Sequence, residues 1–135
     1  MILIGHVLLD TDVASFLLKR DTRAELYRGL IGGRLWALSF QSIAEMEFWS
    51  KSRGWGEGQK AKLEAFLGLF VLLYPDRKVC GVWGGIRARA RQAGRPIDVA
   101  DAWVAATGLT YGIPLVTHNA ADYRFVDGLT VLTVP

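Results

Sequence analysis

Short, almost wholly apolar runs alternate along this chain with longer segments whose apolar positions return every three or four residues. The runs His6 to Leu9, Leu35 to Phe40 (LWALSF), Val71 to Tyr74, Leu115 to Thr117 and Leu129 to Val134 read as strands. Between them the spacing predicts helices from about Asp12 to Lys19, Ala24 to Leu30, Ser42 to Trp49, Glu57 to about Leu69, Asp76 to about Ala93 and Asp98 to Tyr111. In the fourth of these, Ala61, Ala65 and Leu69 recur on one face with Leu63, Phe66 and Leu67 alongside. Stop signals stand where the elements change: Asp21 and Thr22, Gly32 and Gly33, the Gly54 to Gly58 run, Pro75, Gly94, and Gly112 with Pro114. Strands that are apolar on both faces and separated by helices imply parallel pairing with both faces covered. The expectation is one α/β domain over residues 1–135, with three layers, α/β/α, around a mostly parallel central sheet. Right-handed crossovers gather parallel strand ends on one edge, where ligands bind. Asp10 and Thr117 stand at such ends, and Glu45 lies one turn into the helix after Phe40.

Composition narrows the class. A chain of 135 residues that is 51% hydrophobic buries a real core. Its one cysteine, Cys80, excludes an intramolecular disulfide and reads as a small helix residue, and two histidines make no zinc set. The apolar start, Met1 to Leu9, has no basic flank and runs into Asp10 and Asp12, as a strand does and a signal peptide does not. Ala65 to Tyr74 is far shorter than the roughly 20 residues that cross a bilayer. A soluble, cytoplasmic protein with no membrane partner is expected. The net charge of +3 and pI near 9.2 lean toward a polyanionic partner. Arg87, Arg89, Arg91 and Arg95, with no acid among them, read either as RNA phosphate contacts or as a solvated helix face.

The carboxylates carry the chemistry. Ser42 with Glu45, Asp98 with Asp101, and Asn119 with Asp122 each have the spacing of a helix cap and its partner, and singly each reads as a cap. Asp10 differs, because it ends an apolar strand, where a buried carboxylate is costly unless paired, hydrogen-bonded or metal-bound. Asp101 leads into the nearly all-apolar run Ala102 to Ala106, and neither acid has a Lys or Arg close by in sequence. Carboxylates gathered at one edge repel one another, and a hard divalent cation relieves them, Mg²⁺ or Mn²⁺ rather than zinc.

Together LLDTD, LSFQSIAEME, PIDVADAWVAATGLTYGIPLVTHNAADY and the terminal GLTVL resemble PIN domains, and most of all the VapC-type ribonuclease toxins of bacterial toxin-antitoxin modules. The likeness spans nearly the whole chain, and its specific part is D-x-W-x-A-A-T followed by G-I-P-L-V-T-x-N. The resemblance implies that Asp10, Glu45, Asp101 and the more variable Asp122 are catalytic acids that hold one or two Mg²⁺ ions and hydrolyse RNA phosphodiester bonds. It places Thr117 behind a carboxylate or the metal water, with Asn119 two residues on. Asp98 becomes a cap or a support for the ligands, and Asp12 a turn or supporting residue. Met46, Phe48 and Trp49 fall on a helix that in the family helps form the antitoxin groove and dimer surface, so an antitoxin partner and a homodimer are expected.

Two other readings compete. D-T-D-V after an apolar strand also fits an aspartyl phosphatase of the haloacid-dehalogenase type, with Asp10 as nucleophile and Asp12 as acid/base, but that chemistry wants a downstream lysine and the last one is Lys78. A non-catalytic module that binds protein or RNA is the other, and the retained acids argue against it. Trp55, in RGWGEG, is expected to be exposed for a partner or RNA, while the other tryptophans read as core or interface. His6 reads as a packed strand residue and His118 as a site neighbour, neither as a general base.

Overall fold

The computed structural model describes residues 3–135. Five strands, β1 (His6–Leu9), β2 (Leu35–Ser39), β3 (Phe70–Leu73), β4 (Leu115–Val116) and β5 (Val131–Leu132), form one sheet in the order β3-β2-β1-β4-β5. Every pairing is parallel. The central strand β1 faces Leu38 on one side and Val116 on the other through Leu9, and its Val7, Leu8 and Leu9 are fully buried. The chain builds β2 and β3 outward in one direction from β1 and adds β4 and β5 in the other. The reversal leaves a crevice at the C-terminal ends of β1 and β4, the usual seat of a ligand in open α/β sheets.

The helices are α1 (Thr11–Leu18), α2 (Arg28–Ile31), α3 (Phe40–Ser52), α4 (Glu57–Leu67), α5 (Arg77–Gln92) and α6 (Val99–Tyr111). Alternate β1 residues serve opposite layers, as a period of two requires. Val7 and Leu9 pack with Val13, Tyr27, Leu38, Met46 and Leu63 on one face, while Leu8 packs with Ala37, Val79, Ala102, Ala105 and Leu115 on the other. Trp83 of α5 stacks on Trp103 of α6 at 4.7 Å, and Phe40 meets the Trp103 ring edge-on at 5.2 Å. The three-layer α/β architecture is thus the one the apolar pattern predicts. No helix among the described residues is long and apolar enough to cross a membrane.

Four local readings are corrected. The segment Ala24 to Leu30 is not one helix but a 3-10 turn, Thr22–Tyr27, capped by Asp21, followed by the single-turn α2, and the tight turn brings Tyr27 fully inside. Helix α3 begins at Phe40, where the Ser39 side chain accepts from the Gln41 N–H at 3.0 Å, so Ser42 and Glu45 are not a capping box. Ser42 is buried within α3 and shares a 2.7 Å hydrogen bond with the Thr11 hydroxyl, a tertiary contact that local sequence does not announce. The last strand shrinks to Val131–Leu132, because only these residues pair with β4. Trp55 is half-buried against the core under α1, α3 and α4 rather than exposed, since its N–H closes back on the Ser50 carbonyl at 2.9 Å and tucks the ring inward.

Candidate active site

Asp10 leaves β1 and caps α1, accepting from the Thr11 N–H at 2.8 Å. Its other oxygen, Oδ2, accepts from the Thr117 hydroxyl at 2.8 Å and from the Tyr123 hydroxyl at 2.8 Å. Tyr123 arrives on a 3-10 turn, Ala120–Tyr123, with its ring only 1% exposed, and its hydroxyl also reaches Asp101 Oδ1 at 3.3 Å. The partners that Asp10 lacks among the basic residues are therefore two hydroxyls. Burial first, and then the Asp12 charge, push the Asp10 carboxyl up to about 6 against the lowering effect of these hydrogen bonds. Burial followed by the charges of Asp122 and Asp98 does the same to Asp101, also to about 6. Tyr123, buried beside two carboxylates, is driven far above the ordinary phenol range and stays a neutral donor.

Asp12 does more than end a turn. It lies in the first turn of α1, and its Oδ2 accepts from the Asn119 side-chain amide at 2.9 Å, the His118 N–H at 3.1 Å and, more weakly, the Thr117 hydroxyl at 3.4 Å. Asn119 therefore reaches across to α1 and makes no cap bond to its own turn, which corrects its reading as a cap paired with Asp122. Asp98 is a cap, accepting from the Ala100 N–H at 2.9 Å one turn before Asp101. The His118 ring packs edge-on against Phe16 and bonds through Nδ1 to the Tyr27 hydroxyl.

Asp10, Asp12, Glu45, Asp101, Asn119 and Asp122 line one cleft of about 160 Å³ together with Gln41, whose amide lies 3.4 Å from Glu45. The cleft walls hold no lysine, which removes the group that aspartyl-phosphate chemistry asks for. All donors are hard oxygens, the set that suits a divalent cation of the Mg²⁺ class. Among the described residues no three acidic, His or Cys side chains stand close enough to form a ready-made coordination shell. Arg87, Arg89, Arg91 and Arg95 lie outside this cleft: Arg87 and Arg91 share a recess with Trp83, while Arg89 of α5 and Arg95 just beyond its end line an adjoining recess with Asp122. Sequence reasoning missed Tyr123, Gln41 and the Thr11–Ser42 bond. The usable signal for Tyr123 is an aromatic with a polar tip directly after Asp122, since a buried phenol needs a partner.

An all-parallel α/β sheet with a carboxylate-lined cleft at its switch point defines the class of protein. The PIN domain family model matches residues 7–128, and the chain belongs to that family. It is 27% identical over 127 residues to ribonuclease VapC1 of Haemophilus influenzae strain R2866, covering 90% of this chain and 92% of that one. It is 25% identical over 122 residues to the tRNA(fMet)-specific endonuclease VapC of Shigella flexneri, again covering 90% and 92%. The fold superposes on VapBC2 from Rickettsia felis, solved with a DNA fragment from their promoter, with a TM-score of 0.82 at 20% identity, over 96% of this chain and 99% of that chain. A toxin-antitoxin complex from Klebsiella pneumoniae gives a TM-score of 0.75 at 19% identity, over 94% and 96%.

Proposed function

We propose that this protein is a metal-dependent endoribonuclease that acts as the toxin of a toxin-antitoxin pair. The observation that carries the reading is that Asp10 and Asp101, from separate elements, share one buried tyrosine hydroxyl and open on the same cleft as Glu45 and Asp122. Asp10 and Asp101 would hold the Mg²⁺ or Mn²⁺ ion centrally, with Glu45 and Asp122 binding it directly or through water. When bound, such an ion supplies a water of lowered pKa and offsets charge on the phosphate. The chain's own part is positional. Thr117 and Tyr123 fix the Asp10 oxygens, and Asn119 ties α1 to the segment after β4 through Asp12. Asp10 and Asp101, pushed up to about 6, are largely proton-free above that range, the form in which they would hold the ion.

The relatives named as VapC ribonucleases and the toxin-antitoxin complex of like fold support an RNA substrate and an antitoxin partner. Phe48, 66% exposed on α3, offers apolar surface for that partner or for a second copy of the chain. A cytoplasmic setting without a membrane partner belongs to the same reading. Incubation of a mixed RNA pool with the purified protein tests it. Cleavage in Mg²⁺ should stop in EDTA and fall at least about 100-fold in Asp101→Asn, in line with the loss of a metal ligand. Cutting that survives both treatments rejects the proposal.

A further inference from the structure

A second cavity adjoins the acidic cleft. It measures about 240 Å³, is lined by Arg89, Arg95, Ile97, Arg124 and Phe125, and shares Asp122 with the carboxylate site. Arg95, Asp101, Asp122 and Phe125 also border one further recess, so the acids and the arginines are stations on one continuous groove. The Phe125 ring is 53% exposed, and the Arg95 and Arg124 guanidinium carbons lie 4.2 Å and 4.8 Å from its centre. The ion pairs among the described residues are Arg23–Asp21, Arg28–Glu25, Lys51–Glu47 and Lys60–Glu57. Arg89, Arg95 and Arg124 form none, although Asp122 and Asp127 line the same cavity.

We infer that this groove seats the nucleotide next to the cleaved phosphate of a single-stranded RNA, with the base against the exposed part of Phe125 and its phosphate accepting from Arg95 and Arg124. The inference rests on the ribonuclease reading and adds a binding site to it. An exposed ring flanked by planar cations offers a stacking platform, and unpaired guanidiniums beside it supply phosphate donors. An unpaired base is required, because a base held in a duplex presents no face to a ring. An acidic peptide fits less well, since aspartate and glutamate carry no flat ring to lay against Phe125. The arginines of α5 and its C-terminal turn therefore divide: Arg89 and Arg95 belong to the groove, and Arg87, with its guanidinium 5.3 Å over the Trp83 ring, and Arg91 do not.

Fluorescence polarisation of a short labelled single-stranded RNA of mixed sequence, with Asp101→Asn as the parent to prevent cleavage, decides the matter. Arg95→Ala with Arg124→Ala should weaken binding about tenfold or more and lower the salt slope by about 1.4, two single-strand phosphate contacts. Phe125→Ala should cost about tenfold and Phe125→Trp little, because stacking asks only for a flat ring. Arg87→Ala with Arg91→Ala removes the same charge and should leave affinity within about twofold. Equal losses from the two arginine pairs, or displacement of the RNA by polyglutamate at matched charge, would overturn the groove. Binding that survives the groove substitutions removes this site alone, whereas a parent that binds no RNA removes the ribonuclease reading with it. Circular dichroism melts of each variant separate lost binding from lost folding.

Discussion

One phenolic oxygen, that of Tyr123, holds two carboxylates that would otherwise repel each other across the cleft. Its hydrogen bonds favour the ionised forms of Asp10 and Asp101 and so act against burial. Removing the hydroxyl in Tyr123→Phe leaves the buried Asp10 short of a donor, a loss of about 1–3 kcal/mol. Both acids should then ionise at higher pH, and the acid limb of the cleavage profile should move up in pH, with activity partly restored under alkaline conditions. A profile that drops uniformly at every pH would mean that Tyr123 acts only through packing. Asp10 and Asp101 are legible in the sequence because a charge at the end or start of an apolar run demands an explanation. Tyr123 is not, since its importance comes from a turn that swings the ring fully inside, and nothing in AADY states that direction.

At the scale of elements, caps decide how well boundaries read. Asp76 and Asp98 cap α5 and α6 as expected, because each is the sole strong cap near its helix start. The start of α3 is misread because Ser39 and Ser42 are both good caps, and the choice between them is made by Thr11, a contact across 31 residues. Helix α6 also has a spatial constraint that its apolar pattern hides. A Cβ on Gly108 would meet Leu129 Cδ1 at 2.9 Å and the Ile113 carbonyl oxygen at 3.4 Å. Leu129 is a flexible tip that gives way, so Gly108→Ala should be near neutral once about 1 kcal/mol of helix propensity is gained. Gly108→Val brings further methyls against the backbone and should cost about 1–3 kcal/mol in urea unfolding. Equal stability of the two variants would show that the contact is loose.

The whole molecule carries the electrostatic strain of its cleft. Folded Asp10 and Asp101 take up protons near pH 6, whereas the ordinary carboxyl value is 3.8. Between those values the folded state binds more protons than the unfolded one, so metal-free stability should fall as pH rises from about 4 to a little above 6. Asp10 alone accounts for a change on the order of 3 kcal/mol across the whole range, of which about 1 kcal/mol falls between pH 5 and pH 7, and the more exposed Asp101 for less. Asp21 runs the other way, held down to about 2 by Arg23, and its contribution is lost only at much lower pH. Thermal melts in EDTA should therefore run higher at pH 5 than at pH 7, and added Mg²⁺ should raise the pH 7 melt more than the pH 5 melt. A flat metal-free profile would show that the carboxylates are solvated. The strand and helix alternation makes the α/β class legible, but the order β3-β2-β1-β4-β5 is not, because apolar strands carry no mark of which neighbour they take.

The separation of Asp10 from its donors also sets a timetable. Thr117 and Tyr123 lie 107 and 113 residues after it along the chain. At about 5–20 residues per second, a ribosome needs on the order of ten seconds to travel that far. Throughout that interval the growing polypeptide has its first acid but neither hydroxyl that orients it. Asp122 and the partner strand β4 are also still unmade for most of it. Interrupted translation thus releases fragments with an unfinished cleft, and whatever the completed protein cuts, its own synthesis is nearly over before it is able to begin.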